Sequence, residues 1–293
     1  MQFTKMQGAG NDFVVIAPES ASANWTELAI NICNRHYGVG ADGLLLYLPS
    51  QNSDFRMRIF NADGSESNTC GNGLRCMVKY YMDNIVEDND DREVIVETGA
   101  GIRKARVHRT DGKVSEIQTY MGKPLIGYNS RELTPVVGKT ALEMQTIIGY
   151  SVTISGKEIQ MSLIYMGNRH AVCFSDDCID DYPLAEVGPQ IEQHPDFPGG
   201  INFEIVNVID RNKINARVWE RGVGETLACG SGACAIAVAA HLLGYVDKKV
   251  DIKLPGGVLR VEWDKAEEVL LSGPAETVFA GHYTDIPNGL SGN

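Results

Sequence analysis

The chain has 293 residues, 26 of them basic and 38 acidic, for a formal net charge of −12. That length supplies buried cores without a disulfide or metal staple and sets an expectation of two domains or one large one. The acidic balance is a poor match to nucleic acid or an anionic membrane, and no run approaches the roughly 18 apolar residues of a membrane span, so a cytoplasmic protein with a small-molecule partner is expected.

Met1 to Gly8 carries no apolar signal core. Asp12 to Ile16 then reads as a strand and Trp25 to Arg35 as an amphipathic helix. Gly38-Val39-Gly40-Ala41-Asp42-Gly43 matches a dinucleotide fingerprint by spacing alone. Its context is reversed, because it follows a helix and leads into the apolar strand Leu44 to Leu48. Phe55 to Phe60 alternates as a strand, Gly71 to Met82 is helical, and the polar stretch Glu87 to Glu93 is a solvated loop without the spaced ligands of a calcium site. Glu93 to Glu97 and Tyr150 to Ile154 are strands, Leu184 to Gln193 a weaker helix, and Ile214 to Trp219 a strand. Gly230 to Leu243 is a helix apolar nearly all round, which suits enclosure by sheet, and Val258 to Trp263 is a further strand. The strands are expected to form antiparallel sheets.

An internal repeat organises these elements. Arg58-Ile59-Phe60-Asn61 precedes Glu66, Cys70, Gly71 and Gly73, while Arg217-Val218-Trp219-Glu220 precedes Glu225, Cys229, Gly230 and Gly232. Each pair keeps one offset of 159 positions (Cys70 to Cys229) with no gap. The repeat predicts an α+β fold of two pseudo-symmetric lobes, each a mostly antiparallel β-sheet or barrel around a central helix, with the boundary near Thr119 to Pro124. The N-terminal lobe is expected to span residues 1–121 together with the C-terminal tail 275–293, and the second lobe 122–274.

The seven cysteines, odd in number and scattered, read as reduced thiols. Cys70 and Cys229 each stand where a strand-turn unit feeds a helix, and the glycines that follow let backbone N–H groups approach an anion. The positive end of the helix dipole should also lower the thiol pKa. A thiolate on one face of a carbon and a thiol on the other could invert an amino-acid α-carbon without a cofactor. Cys76 and Cys234, deeper in each helix, are expected to pack.

With those cysteines stand Lys5-Met6-Gln7-Gly8-Ala9-Gly10-Asn11-Asp12-Phe13, Asn61-Ala62-Asp63-Gly64-Ser65-Glu66, Cys70 to Cys76, Met166-Gly167-Asn168, and Glu220 to Thr226. Together they give a sequence that resembles the diaminopimelate epimerase family over nearly its whole length. The resemblance implies interconversion of LL- and meso-diaminopimelate, with no pyridoxal phosphate and no metal, in a homodimer of two-lobed subunits. It also implies that Cys70 and Cys229 form the acid–base pair and that Gly71, Asn72, Gly230 and Ser231 bind the reacting carboxylate. Asn11, Asn61, Asn168, Asn202, Glu220 and Arg221 would complete the substrate contacts, Arg221 taking the distal carboxylate, and His170 and Glu220 would tune the thiols. The sequence departs from the family pattern at Arg169, where proline is usual, and at Gly43, where some members have glutamine.

Two rival functions stand beside this one. A related two-cysteine racemase would act on proline, hydroxyproline or histidine; proline-type enzymes usually carry histidine where Asn72 stands. A zinc or redox role for the four cysteines of the repeats would have to use Cys-x5-Cys and Cys-x4-Cys spacings, looser than the usual knuckle.

Overall fold

The structure, a computed structural model, describes residues 1–18, 24–68, 70–87, 90–126, 147–265 and 267–284. Residues 88 and 89 of the acidic loop and the tail beyond 284 lie outside the described residues. The chain divides into two compact units, Met1–Ile117 with Pro274–Asn293, and Gln118–Gly273.

The elements run β1 (Gln2–Gly8), β2 (Asn11–Ile16), α1 (Trp25–Cys33), β3 (Gly43–Leu48), β4 (Phe55–Asn61), β5 (Glu66–Ser67), α2 (Gly71–Asn84), β6 (Arg92–Thr98), β7 (Gly101–Thr110) and β8 (Lys113–Tyr120). They continue as β9 (Leu125–Ile126), β10 (Ile147–Ile154), β11 (Lys157–Tyr165), β12 (Arg169–Phe174), α3 (Leu184–Glu192), β13 (Asn202–Asp210), β14 (Lys213–Glu220) and β15 (Gly224–Thr226). The last are α4 (Gly230–Leu242), β16 (Lys249–Leu254), β17 (Gly257–Glu262), β18 (Leu270–Ser272) and β19 (Glu276–His282). This is a mixed-sheet α+β fold with few helices.

Antiparallel pairing predominates, but β2 with β3, β4 with β6, β12 with β13 and β14 with β16 are parallel. The sheets are thus mostly antiparallel, as expected, with these four pairs as the exceptions. Each brackets one helix, α1, α2, α3 and α4 in turn. A parallel pair needs a long crossover, and the helix supplies it. Side-chain alternation reports which face is buried and not strand direction, so it carries no signal of this.

The repeat is realised in the elements. α1 and α3 start 159 residues apart (Trp25 to Leu184), as do α2 and α4 (Gly71 to Gly230). A forked ion pair recurs at the same offset: Arg58 Nε lies 2.7 Å from Glu66 Oε1, and Arg217 Nε lies 2.8 Å from Glu225 Oε1. Each ties β4 to β5, or β14 to β15, just before the cysteine.

In the first unit α2 turns Leu74, Met77, Val78, Tyr81 and Met82 into a core with Phe13, Phe55, Met57 and Val94. Side chains of this size each contribute about 1.5–3 kcal/mol when fully buried. In the second unit every residue of α4 from Gly232 to Ala240 is buried, as an all-round apolar helix requires. α3 is the weaker helix because Gly188 and Pro189 lie inside it. Gly188 permits a close approach, since a Cβ there would lie 2.5 Å from the Trp219 indole.

Asp12 anchors the entry to β2. Its carboxylate accepts from Lys5 Nζ at 2.6 Å and from Arg35 Nη2 at 2.8 Å. Burial alone would raise its pKa, but the hydrogen bonds from Arg35 and Lys5 together outweigh it and hold the carboxyl well below its ordinary 3.8. A depressed carboxyl contributes stability that is complete above the unfolded value and lost as pH falls through the folded one. Because the Arg35 side of the cluster is open to solvent, Asp12→Asn should cost about 1–2 kcal/mol at pH 7. Urea unfolding at successively lower pH should show that deficit shrinking below the ordinary 3.8; a deficit independent of pH would refute the electrostatic account.

Candidate active site

Each unit presents a cysteine as the N-cap of a helix. Cys70 is extended (φ −153°, ψ 118°) before α2, and Cys229 is extended (φ −121°, ψ 116°) before α4. Each sulfur takes the place of a serine or aspartate oxygen, accepting from the backbone N–H of N3: Gly73 at 3.4 Å and Gly232 at 3.3 Å. The N–H groups of the two preceding residues, Gly71 and Asn72 in one unit and Gly230 and Ser231 in the other, have no acceptor within their own helix by helix geometry. The space at N3 is tight in both. A Cβ would lie 3.2 Å from Leu45 at Gly73 and 3.0 Å from Glu204 Oε1 at Gly232.

Around Cys70 the side chains form an ordered relay. Asn11 Oδ1 lies 3.8 Å from Cys70 Sγ and accepts from Asn72 Nδ2 at 3.4 Å. Asn72 Oδ1 in turn accepts from Arg75 Nη2 at 2.7 Å, and Arg75 is wholly buried. The other end of the Asn11 amide donates to Asp42 Oδ2 at 2.7 Å, which turns the Asn11 oxygen toward the thiol. Asn61 sits apart from this relay, donating to Ser65 Oγ at 2.9 Å across the turn into β5. Gly43 pairs with Asn61 across β3 and β4, and a Cβ at Gly43 would lie 2.8 Å from the Phe60 carbonyl.

Around Cys229 the carboxyls dominate. β12 and β13 run parallel with His170 opposite Asn202 and Val172 opposite Glu204. His170 and Glu204 meet with Nδ1 2.5 Å from Oε1, both side chains fully buried. His170 Nε2 lies 2.8 Å from Asn168 Oδ1. Glu220 accepts from Thr226 Oγ1 at 2.6 Å, and Asn202 Oδ1 accepts from the Arg221 backbone N–H at 2.8 Å. The Arg221 guanidinium donates to Gly199 O at 2.9 Å and lines a cleft of about 350 Å³ with Glu192, His194, Pro198 and Gly200. Arg169 donates to the neighbouring Pro198 carbonyl.

The Cys229 thiol is not poised as the helix dipole alone suggests. Burial pushes the Cys229 thiol well above its ordinary 9.0, the charge of Glu220 pushes it further, and the Ser231 and Gly232 hydrogen bonds only partly oppose this. The expectation of a lowered thiol pKa is thus reversed at Cys229, because desolvation of the thiolate outweighs one N–H and a helix end. Cys76 is buried among core side chains and pushed up to about 12 by burial. Cys234 is equally enclosed. None of the seven cysteines is in a disulfide.

Three residues of these networks are missed by sequence reasoning. Asp42 and Arg75 lie inside glycine-rich motifs, where the glycines and cysteines carry the pattern. Glu204 has a usable signal, being the only charge in the apolar run Ile201 to Val208.

A family model described as diaminopimelate epimerase matches residues 3–126 and 162–278. The chain is 45% identical to the diaminopimelate epimerase of Desulfovibrio desulfuricans over 287 residues, covering 97% of this chain and 98% of that one. It is 41% identical to that of Methanococcus maripaludis over 283 residues, covering 96% and 99%. Among solved structures, a probable proline racemase from Agrobacterium radiobacter superposes with a TM-score of 0.71 at 15% identity, covering 99% of this chain and 94% of that one. A hydroxyproline epimerase from Agrobacterium vitis gives 0.68 at 17%, covering 96% and 91%. At those identities the structures share the fold.

Proposed function

The chain belongs to the diaminopimelate epimerase family, and on that premise we propose that it interconverts LL- and meso-2,6-diaminopimelate without pyridoxal phosphate, with Cys70 and Cys229 as its acid–base pair. The observation that carries the pair is the duplicated N-cap, in which each sulfur accepts from the third N–H of its helix beside N–H groups with no intrahelical acceptor.

In this mechanism one cysteine, as thiolate, takes the α-proton from one face of the substrate carbon while the other, as thiol, delivers a proton to the opposite face. The base leaves as thiol and the acid as thiolate, so one proton must return between them through solvent before the next turnover. The α-proton is very weakly acidic, and the charge that develops flows into the α-carboxylate. Donors fixed beforehand stabilise that charge without reorganising. Gly71, Asn72, Gly230 and Ser231 would supply them, with Asn11, Asn61, Asn168, Asn202, Glu220 and Arg221 holding the rest of the substrate. Arg221 suits the distal carboxylate, to which a guanidinium can bind in a fork. His170 and Glu220 are proposed to tune the thiols.

The same reading takes the two units as the lobes of one catalytic subunit acting as a homodimer in the cytoplasm, on the route to lysine and peptidoglycan precursors. Sedimentation at micromolar concentration tests the dimer. The substrate is tested by incubating reduced enzyme with LL-diaminopimelate in D2O. The expected product is meso-diaminopimelate carrying deuterium at the inverted carbon; inversion of proline or histidine instead would keep the mechanism and change the substrate.

A further inference from the structure

Glu204 is the least expected group beside Cys229. It stands in a core strand between Phe203 and Ile205, is wholly buried, and has no hydrogen-bond partner for Oε2 among the described residues. An acid in such a place is costly unless it serves a partner or gives up its charge. Its Oε1 meets His170 Nδ1 at 2.5 Å. A Cβ at Gly232 would lie 3.0 Å from Glu204 Oε1 and 3.3 Å from Cys229 Sγ, so the carboxyl reaches the glycine that caps the thiol.

The proton count is constrained from both ends of the imidazole. Asn168 turns Oδ1, an acceptor, to His170 Nε2 at 2.8 Å, so Nε2 must carry a proton. The 2.5 Å contact at Nδ1 requires one more proton, held by the ring or by the carboxyl. A protonated ring with an ionised Glu204 and a neutral ring with a protonated Glu204 both satisfy the two contacts. Burial pushes the Glu204 carboxyl up, which favours the neutral pair. In either state Nε2 remains a donor, the Asn168 oxygen is held inward, and the two Nδ2 hydrogens are left to face a ligand.

We propose that Glu204 is a positioning residue: by sharing one proton with His170 Nδ1 it fixes the proton on His170 Nε2, and through that the orientation in which Asn168 offers its amide to the substrate. The role rests on Asn168 being a substrate ligand, as in the function proposed above. Without the Glu204 carboxyl, His170 can carry its single proton on Nδ1 and present a bare Nε2. The Asn168 amide then turns over and meets the substrate with an oxygen in place of two donors. An anionic group of the substrate that was bound would be repelled.

The test uses the full-length protein with 15N-labelled histidine, together with Glu204→Gln and Glu204→Leu. The wild type should show a proton on His170 Nε2, the nitrogen that faces Asn168 Oδ1. A glutamine at this position can still donate its amide N–H to Nδ1, and a leucine cannot. KM for LL-diaminopimelate should therefore rise roughly ten- to hundredfold in the Leu variant, and several-fold less in the Gln variant, with kcat changing less than KM. A side chain that merely fills space would make Leu as good as Gln or better. Equal KM values in the two variants, or an unprotonated Nε2 in the wild type, would overturn the proposal. If the Leu variant does not fold, the Nε2 signal in the wild type and the Gln variant decides. A wild type that displays the Nε2 proton but epimerises no diaminopimelate would defeat the proposed function and leave the proton assignment standing.

Discussion

In Cys229→Ala and in Cys70→Ala, epimerisation of LL-diaminopimelate is expected to fall by a factor of about 10²–10⁴ each, the usual contribution of a positioned acid or base. Both proteins should remain folded. Alanine removes one sulfur and its N-cap contact with Gly73 or Gly232, a loss of about 1 kcal/mol of helix stability. Combining the two replacements should cost little more than either alone, because a proton that cannot be removed on one face makes the donor on the other irrelevant. Cys76→Ala and Cys234→Ala are the controls. Those sulfurs are wholly buried in their helices, so their loss should lower the melting temperature and leave kcat nearly intact. Initial rates followed by chiral chromatography separate the two classes. Full activity in either Cys70→Ala or Cys229→Ala would end the two-base mechanism.

Much of this arrangement is legible in the sequence because it is local. An alternating run reads as a strand wherever one face is buried, and Phe55 to Phe60 and Ile214 to Trp219 fall within β4 and β14. The cysteine-to-glycine step reads as a helix start because glycine at N3 leaves room for a capping side chain, and α2 and α4 begin at Gly71 and Gly230. The ungapped repeat carries the equivalence of the two cysteines. It also reaches further than the motifs: α1 and α3, whose sequences share no obvious signature, keep the same offset.

What stays hidden depends on contacts between distant segments. Strand direction in the four parallel pairs is set by how a helix returns to the sheet, which leaves no mark on the strand's own alternation. Asp42 faces Asn11, 31 positions away, and Glu204 faces His170, 34 positions away. The thiol pKa is hidden for a related reason. A helix start can be seen in a sequence, whereas the burial that outweighs it at Cys229 comes from everything packed around the site.

That reversal carries the second large effect. A two-base cycle needs one thiolate and one thiol, so kcat/KM should fall at high pH when the second thiol is lost. Burial and then Glu220 hold the Cys229 thiol well above its ordinary 9.0, so the alkaline limb should lie above pH 9 in the wild type. Beyond that limb the rate should fall tenfold per pH unit. Glu220→Gln removes a negative charge that disfavours the thiolate, which lowers the Cys229 pKa and must move the limb to lower pH. The Thr226 hydroxyl, now bonded to Glu220 Oε1 at 2.6 Å, can donate equally well to a glutamine oxygen, so the local structure should survive. The substrate's own amino groups titrate identically with both enzymes, and the difference between the two profiles isolates the protein. Alkylation of Cys229 by iodoacetamide, followed by mass spectrometry across the same pH range, should shift in the same direction, because only the thiolate reacts. A limb that stays in place while Cys229 alkylation shifts would assign the high-pH loss to another group and remove Cys229 from the role of acid.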